Sequence, residues 1–414
     1  MTSLSGNPSR IVWPHCPNPM TVTTPTATPQ TVPVPERSAT TKPYRFVMAG
    51  GGTGGHLYPG LAVAAALEEL SLGQVELVWA ATPRKVDQRL LGSKGDNYVP
   101  QRVQPMTLNP LKMWGFWQAW QHSCRHWQQY YQQHEVTGVL ALGGYAAGPA
   151  SDVAAQSGIS VGLINPDALP GLANRHLMKR ATKVYCQWPL PQPYAGKLGD
   201  RMAVVGCPIR RDLLGRDRSV AAAALGLDPD RPTLVVTGAS LGAGTINDAM
   251  LMLLADPELS EAFNAWQVIH LAGMTQGADV RAAAAKYPHL RYLVLDYCDD
   301  MASVWAMADL AITRCGASTC AELTACGVPS ILLPYPYHRD NHQRYNAMQL
   351  VTAGAAVIVD DTKEVQSNAA ALKPVLIKLL QADVQRDEMA RAARRIGLPE
   401  AALTIARDLL SWKK

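Results

Sequence analysis

The sequence predicts an α/β protein of two Rossmann-like, doubly wound domains that face a central cleft, with C-terminal helices packing back toward the first domain. Three observations predict it. Residues 45–67, RFVMAGGGTGGHLYPGLAVAAAL, run from a short apolar strand through a glycine-packed turn into an amphipathic helix. Residues 233–254, TLVVTGASLGAGTINDAMLMLL, repeat that order about 190 residues later. Around both, apolar segments alternate with helical patterns, the rhythm of a parallel sheet covered on both faces.

Each glycine turn is a candidate phosphate site. Glycine lets the backbone turn tightly and lets a ligand approach the amides, and a helix N-terminus adds partial positive charge. In the first turn Gly50, Gly51, Gly52, Gly54 and Gly55 crowd around Thr53. That is not the dinucleotide spacing, and the Lys-Ser/Thr pair of a P-loop is missing. His56 at the mouth of the turn marks a candidate active site. A tight first turn of an α/β domain with a capping histidine would use the same residues. The second turn, with Gly238, Gly242 and Gly244, shifts the balance toward two loops opening on one cleft.

Strands are expected at 45–49, 75–80, 137–142, 160–164 and 183–186, then at 267–271, 292–295, 310–313, 330–333 and 356–359. A helix pair at about 366–381 and 386–411 ends the chain. Residues 1–42, rich in Pro, Thr and Ser, read as a disordered tail. The first domain is expected over 43–206 and the second over 207–395. Residues 396–414 form a terminal helix returning to the first.

Composition narrows the function classes. At 414 residues the chain supports two domains and a large core, and 48% apolar with 17% charged residues fits a globular protein. The net charge of +5 is too weak to argue nucleic-acid binding and is compatible with phosphates or an anionic membrane surface. Eight cysteines without CxxC or Cys/His metal spacing read as reduced, mostly buried thiols of a cytosolic protein. No apolar run approaches the roughly 20 residues of a transmembrane helix. The dyads Asp299-Asp300 and Asp360-Asp361 read as helix or turn starts, so no metal is expected.

The segment 108–131 stands apart. Met113, Trp117, Trp120, Cys124, Trp127 and Tyr131 recur at helical spacing near Lys112, Arg125 and His126. A core-facing helix shows this pattern. An interfacial helix with rings at headgroup depth shows it too, and the basic flanks favour that reading. Met113, Trp114, Phe116, Trp117 and Trp120 are the candidate membrane patch.

Seven stretches together carry a resemblance: GGTGGHLYPGLAVA (51–64), LGGYAAGPA (142–150), GLANRHLMKRATKV (171–184), VVGCPIRRDLL (204–214), the TGASLGAGTIND loop, 296–336 and DNHQRYNA (340–347). They resemble the MurG family, the bacterial N-acetylglucosaminyltransferases that make lipid II. The resemblance covers about 44–395. It implies a GT-B fold and an inverting transfer of GlcNAc from UDP-GlcNAc to the muramyl 4-hydroxyl of lipid I. It places the enzyme peripherally on the cytoplasmic membrane face, with proteins of cell-wall assembly as further partners and no cofactor.

Site residues follow from the resemblance and from local chemistry. His56, an imidazole near neutral pKa, is the candidate general base. Thr53, Gly54, Gly55, Ser240, Gly242, Gly316, Ser318 and Thr319 are expected on the donor, mostly at its diphosphate. Arg210 reaches the nucleotide, the backbone near Cys298 reads uracil, and His342 and Gln343 contact the GlcNAc hydroxyls. Asn346 is expected to fix a helix start. Glu322 either accepts from the ribose hydroxyls, as the family's glutamate does, or closes an N-terminal capping box. Gly143, Gly144, Tyr145, Asp167 and Asn174 line the acceptor side. There the chain departs from the family: Ile164-Asn165-Pro166-Asp167 stands where the family has His-Glu-Gln-Asn, QPMTLNPLKMW (104–114) replaces a glycine-rich loop, and Leu241 replaces a glutamine. Three alternatives accompany the reading: a related transferase using a UDP-sugar on another lipid acceptor, a UDP-GlcNAc 2-epimerase, and a paralogue that has lost catalysis.

Overall fold

The computed structural model describes residues 44–103, 110–238, 242–338 and 340–412. The expected tail, Ser240 and Leu241 lie outside the described residues, as do positions 104–109 and the Met113 side chain.

The first sheet is β1 (Tyr44–Gly50), β2 (Val75–Ala81), β3 (Tyr98–Pro100), β4 (Gly138–Gly143), β5 (Val161–Asn165), β6 (Lys183–Cys186) and β7 (Met202–Val204). All pairs are parallel, in the order β3-β2-β1-β4-β5-β6-β7. The second sheet is β8 (Thr233–Thr237), β9 (Gln267–Leu271), β10 (Arg291–Leu295), β11 (Leu310–Thr313), β12 (Ser330–Leu332) and β13 (Ala356–Ile358). It is parallel throughout, in the order β10-β9-β8-β11-β12-β13. This is the doubly wound pair that the glycine turns imply. Sequence reading missed β3 and β7, three-residue strands at opposite edges of the first sheet, too short to show a period.

Central strands such as β1, β4 and β8 are apolar almost throughout because helices cover both faces of each sheet. On one face of the first sheet Phe46, Met48, Trp79 and Leu140 pack with Leu57 and Leu67 of the helix Gly54–Leu70. Ile405, Ala406 and Leu409 of the last helix join that same cluster. The expected single helix over 386–411 is two, Asp383–Ile396 and Ala401–Ser411. Gly397 and Pro399 explain the break: a Cβ on Gly397 would stand 2.6 Å from the Thr324 carbonyl oxygen, and proline disfavours helix at the residue before it.

The tryptophan segment forms the helix Pro110–Gln133 and divides along its length. Trp127 is fully buried in the first sheet's other core, donating Nε1–H to Gln101 at 2.9 Å. Trp114 and Trp117 are 68% and 54% exposed. Trp120 is half-buried, its ring against Gly148, where a Cβ would lie 2.1 Å from Cη2. The core reading therefore holds for the C-terminal half of the helix, and the free aromatic surface is confined to its start.

Candidate active site

β1 sits between β2 and β4, and β8 sits between β9 and β11, so each sheet reverses its winding there. The crevice beyond the carboxyl ends of strands at such a reversal is where open α/β sheets bind ligands. The first glycine turn leaves β1, Gly144 leaves β4, the second glycine turn leaves β8, and Cys315-Gly316 leaves β11. A cavity of about 280 Å³ joins the two halves at this level.

From the first half come Thr53, Gly54, Gly55 and His56, with Tyr58, Pro166 and Asp167. Gly50 and Gly52 have φ of +150° and +85°, backbone that side chains rarely adopt. The turn is held by a residue the sequence did not single out. The buried Asp87 carboxylate accepts from the Gly52 N–H at 2.9 Å, the Thr82 N–H at 2.8 Å and the Thr82 hydroxyl at 2.6 Å. A Cβ on Gly51 would stand 2.3 Å from that carboxylate. Its only sequence signal is an acidic residue opening the short helix Lys85–Leu91.

Thr53 occupies the N-cap of Gly54–Leu70 without capping it. Its hydroxyl lies 3.0 Å from His56 Nδ1 instead, which leaves the first helical amides open to the cavity. The imidazole rests against β4's end: a Cβ on Gly144 (φ +75°) would be 3.0 Å from His56 Cε1, and one on Gly143 (φ +96°) 3.3 Å from Cδ2. Burial holds the His56 pKa below the ordinary 6.5, with the nearby Asp167 charge opposing it, so the ring is a neutral proton acceptor at pH 7.

From the second half come Arg210, Cys298, Gly316, Ser318, Thr319, Glu322 and His342. The helix Ala317–Cys326 also starts on an uncapped residue, Gly316. Glu322 does not close a capping box: its carboxylate accepts from Trp305 Nε1–H at 2.8 Å. Burial pushes its pKa up to about 7, against the Trp305 hydrogen bond and the Arg210 charge. Arg210 donates to the Asp299 carbonyl at 3.2 Å and lies 5.8 Å from the centre of the Tyr58 ring. The Tyr58 hydroxyl meets that of Tyr297 at 3.1 Å across the cleft. Tyr58 and Trp305, inside helices, and Tyr297, in the loop after β10, line the cavity and escaped sequence reading, because single aromatic residues in these places carry no motif.

Other expected site residues lie elsewhere. Gly143, Gly144, Tyr145 and Asn174 do not line the cavity. The glycines make room for His56, and Asn174 donates to Asn165 Oδ1 at 3.0 Å and to the Ile164 carbonyl at 3.3 Å. Gly242 (φ +75°) packs on the Ala272 carbonyl, where a Cβ would come within 2.6 Å. Gln343 does not reach the cavity lining; its Oε1 accepts from the Tyr335 N–H at 3.0 Å and the Cys315 N–H at 3.3 Å. Asn346 is no helix start either. It is fully buried inside the helix His342–Thr352 and bonds Asp167 and Ala168 of the other half.

The acidic dyads hold no shared site. Asp300 caps the helix Met301–Met307, and Asp361 pairs with buried Arg314 at 2.8 Å. Among the described residues, one group could hold a metal ion: His338, Asp340 and His342.

Residues 46–186 match the glycosyltransferase family 28 N-terminal domain and residues 233–405 the family 28 C-terminal domain. A UDP-N-acetylglucosamine–N-acetylmuramyl-(pentapeptide) pyrophosphoryl-undecaprenol N-acetylglucosamine transferase from Salinibacter ruber is 33% identical over 377 residues, 90% of this chain and 97% of that protein. A protein of the same description from Chlorobaculum tepidum is 33% identical, covering 89% of this chain and 100% of its own. The crystal structure of Acinetobacter baumannii MurG matches with a TM-score of 0.65 and 27% identity over 89% of this chain and 99% of that one. A UDP-N-acetylglucosamine 2-epimerase, at 16% identity and a TM-score of 0.60, shares the fold alone. With both family 28 domains matched in order and relatives a third identical over nearly their whole length, the chain belongs to the MurG family of glycosyltransferase family 28.

Proposed function

We propose that this chain carries out its family's reaction, transfer of GlcNAc from UDP-GlcNAc to the 4-hydroxyl of MurNAc in lipid I, in the cavity between the two sheets. The observation that carries the reading is the meeting of two uncapped helix starts, one from each half, in a single cavity with a neutral imidazole. His56 takes the proton of the acceptor hydroxyl as that oxygen attacks the anomeric carbon from the face opposite the leaving UDP. The start of Ala317–Cys326, with the Ser318 and Thr319 hydroxyls, and the Arg210 guanidinium meet the charge that develops on the departing diphosphate. Glu322, once ionised, accepts from the ribose hydroxyls. His342 lies on the sugar side.

In this reading 43–206 form the acceptor- and membrane-facing domain and 207–395 the donor domain, while 396–414 return to the first. No helix among the described residues is long and apolar enough to cross a membrane. The exposed indoles of Trp114 and Trp117, with Phe116 packed 5.9 Å from the second, supply an aromatic surface that fits a peripheral seat on the cytoplasmic leaflet. The decisive assay uses radiolabelled UDP-GlcNAc with a lipid I analogue and a control lacking acceptor. Labelled disaccharide lipid is expected; donor binding with no transfer, or epimerised donor in the control, overturns the reading.

A further inference from the structure

We propose that His338, Asp340 and His342 form a binding site for a borderline divalent metal such as Zn²⁺ on the rim of the donor cavity. The three side chains sit at alternate positions running into the first residue of His342–Thr352. Their ligand atoms all lie within 4.8 Å of one another, and His342 Nδ1 stands 2.8 Å from Asp340 Oδ1. The two imidazoles face each other with ring centres 4.5 Å apart and planes 30° apart. Two imidazoles that share one Zn²⁺ at about 2.0–2.1 Å, with a ligand angle between square and tetrahedral, hold their ring centres roughly 4.5–5 Å apart. The pair has that spacing, and sharing one ion requires the rings to turn about their Cβ–Cγ bonds from this stacked arrangement until both lone pairs converge.

A helix-start role explains part of the cluster and leaves the rest over. Asp340 Oδ1 accepts from the His342 N–H at 3.4 Å, which accounts for the aspartate. It does not account for His338, which is exposed and stacked on His342. Two histidine nitrogens and one carboxylate oxygen make a three-ligand set that leaves a further position for water. Imidazole and carboxylate together suit Zn²⁺, Ni²⁺ and Cu²⁺ better than Mg²⁺ or Ca²⁺. His342 also lines the cavity, so the bound ion lies beside the donor. A metal on its Nδ1 displaces the proton shared with Asp340, obliges Nε2 to carry the N–H, and fixes the ring. Metal binding itself does not depend on the functional reading; an effect on the donor rests on the assignment of His342 to the sugar side.

The test is calorimetric titration of Zn²⁺ into the full chain without nucleotide, for the wild type, His338→Ala and Asp340→Asn. One Zn²⁺ per chain is expected in the wild type, with affinity at least tenfold weaker in both variants and far-UV circular dichroism unchanged. Co²⁺ bound at this site should lack a thiolate-to-metal charge-transfer band, which separates it from any site using the chain's cysteines. Affinity unchanged in both variants, or a wild type with no site tighter than about 1 mM, overturns the proposal. UDP-GlcNAc affinity should then shift with Zn²⁺ in the wild type and stay constant in His338→Ala. A shift that persists in His338→Ala overturns the link to the cavity. Because Zn²⁺ binding is read without donor or acceptor, failure of the transfer assay leaves this result standing.

Discussion

Asn346 donates its side-chain N–H to Asp167 Oδ1 at 2.9 Å and accepts the Ala168 N–H at 2.9 Å, joining the second half of the chain to the loop after β5 in the first. A second N–H contact runs to the Cys315 carbonyl at 3.2 Å. One buried amide thus ties the loop that carries Asp167 to the strand end that opens the helix Ala317–Cys326. Asn346→Ala leaves the Asp167 carboxylate and a buried N–H without their partner. It is expected to cost about 1–3 kcal/mol in urea unfolding and to lower transfer more than donor affinity. Unchanged stability with intact turnover would show the tie to be incidental.

Glu322 gives a pH signature. Its folded pKa of about 7 lies above the ordinary 4.5, so the folded protein holds a proton that the unfolded chain has released. Stability from this group is therefore fullest below about pH 4.5 and declines as pH rises to about 7. Relative to Glu322→Gln, the wild type should lose on the order of 1–3 kcal/mol between pH 5 and 8, read from denaturant midpoints. UDP-GlcNAc affinity should rise over the same range in the wild type as the carboxylate forms, and stay flat in the variant. Arg210→Ala should move the midpoint upward, because the guanidinium pulls this pKa down.

His56 shifts the other way. Burial holds its pKa below 6.5, so the acid limb of kcat/KM should fall below that value. Asp167→Asn keeps an oxygen for the Asn346 N–H and removes the charge that raises the His56 pKa. Its acid limb should move to still lower pH, with near-normal stability. His56→Ala should cut turnover by roughly 100-fold or more while donor binding persists. Unaltered turnover removes His56 from the mechanism.

The helix Pro110–Gln133 offers a contrast between its two ends. Trp114→Ser with Trp117→Ser should weaken sedimentation with anionic vesicles by about tenfold or more at unchanged Tm. Trp127→Ala, by comparison, should destabilise the fold by about 3–5 kcal/mol, the cost of emptying a buried indole site. Equal loss of stability in both would place the first two rings in the core.

What sequence could show, and what it could not, divides by contact range. The first glycine turn, His56, Arg210 and Glu322 stood out in the sequence because strand, turn and helix are neighbours along the chain, and all of them line one cavity. The second glycine turn stood out equally, yet Gly242 packs on the Ala272 carbonyl outside that lining. Asp87 did not stand out. Its partners Gly52 and Thr82 are brought to it by two parallel strands, and one aspartate at a helix start looks like any other. Asn346 was misplaced for the same reason: its partners lie 178 and 179 positions away. The helical period of the tryptophan segment was right. It could not show that the sheet covers only the second half of the helix.

The last helix has a consequence for how the molecule is made. Ile405, Ala406 and Leu409 complete a core whose other members are Phe46, Met48 and Leu57. A ribosome delivers those two groups far apart in synthesis. The first sheet can pair its strands early, yet this face stays open until Ile405, Ala406 and Leu409 clear the exit tunnel. Closing this core is therefore a late event, and a nascent chain stalled before residue 405 would present an unsealed apolar surface to chaperones.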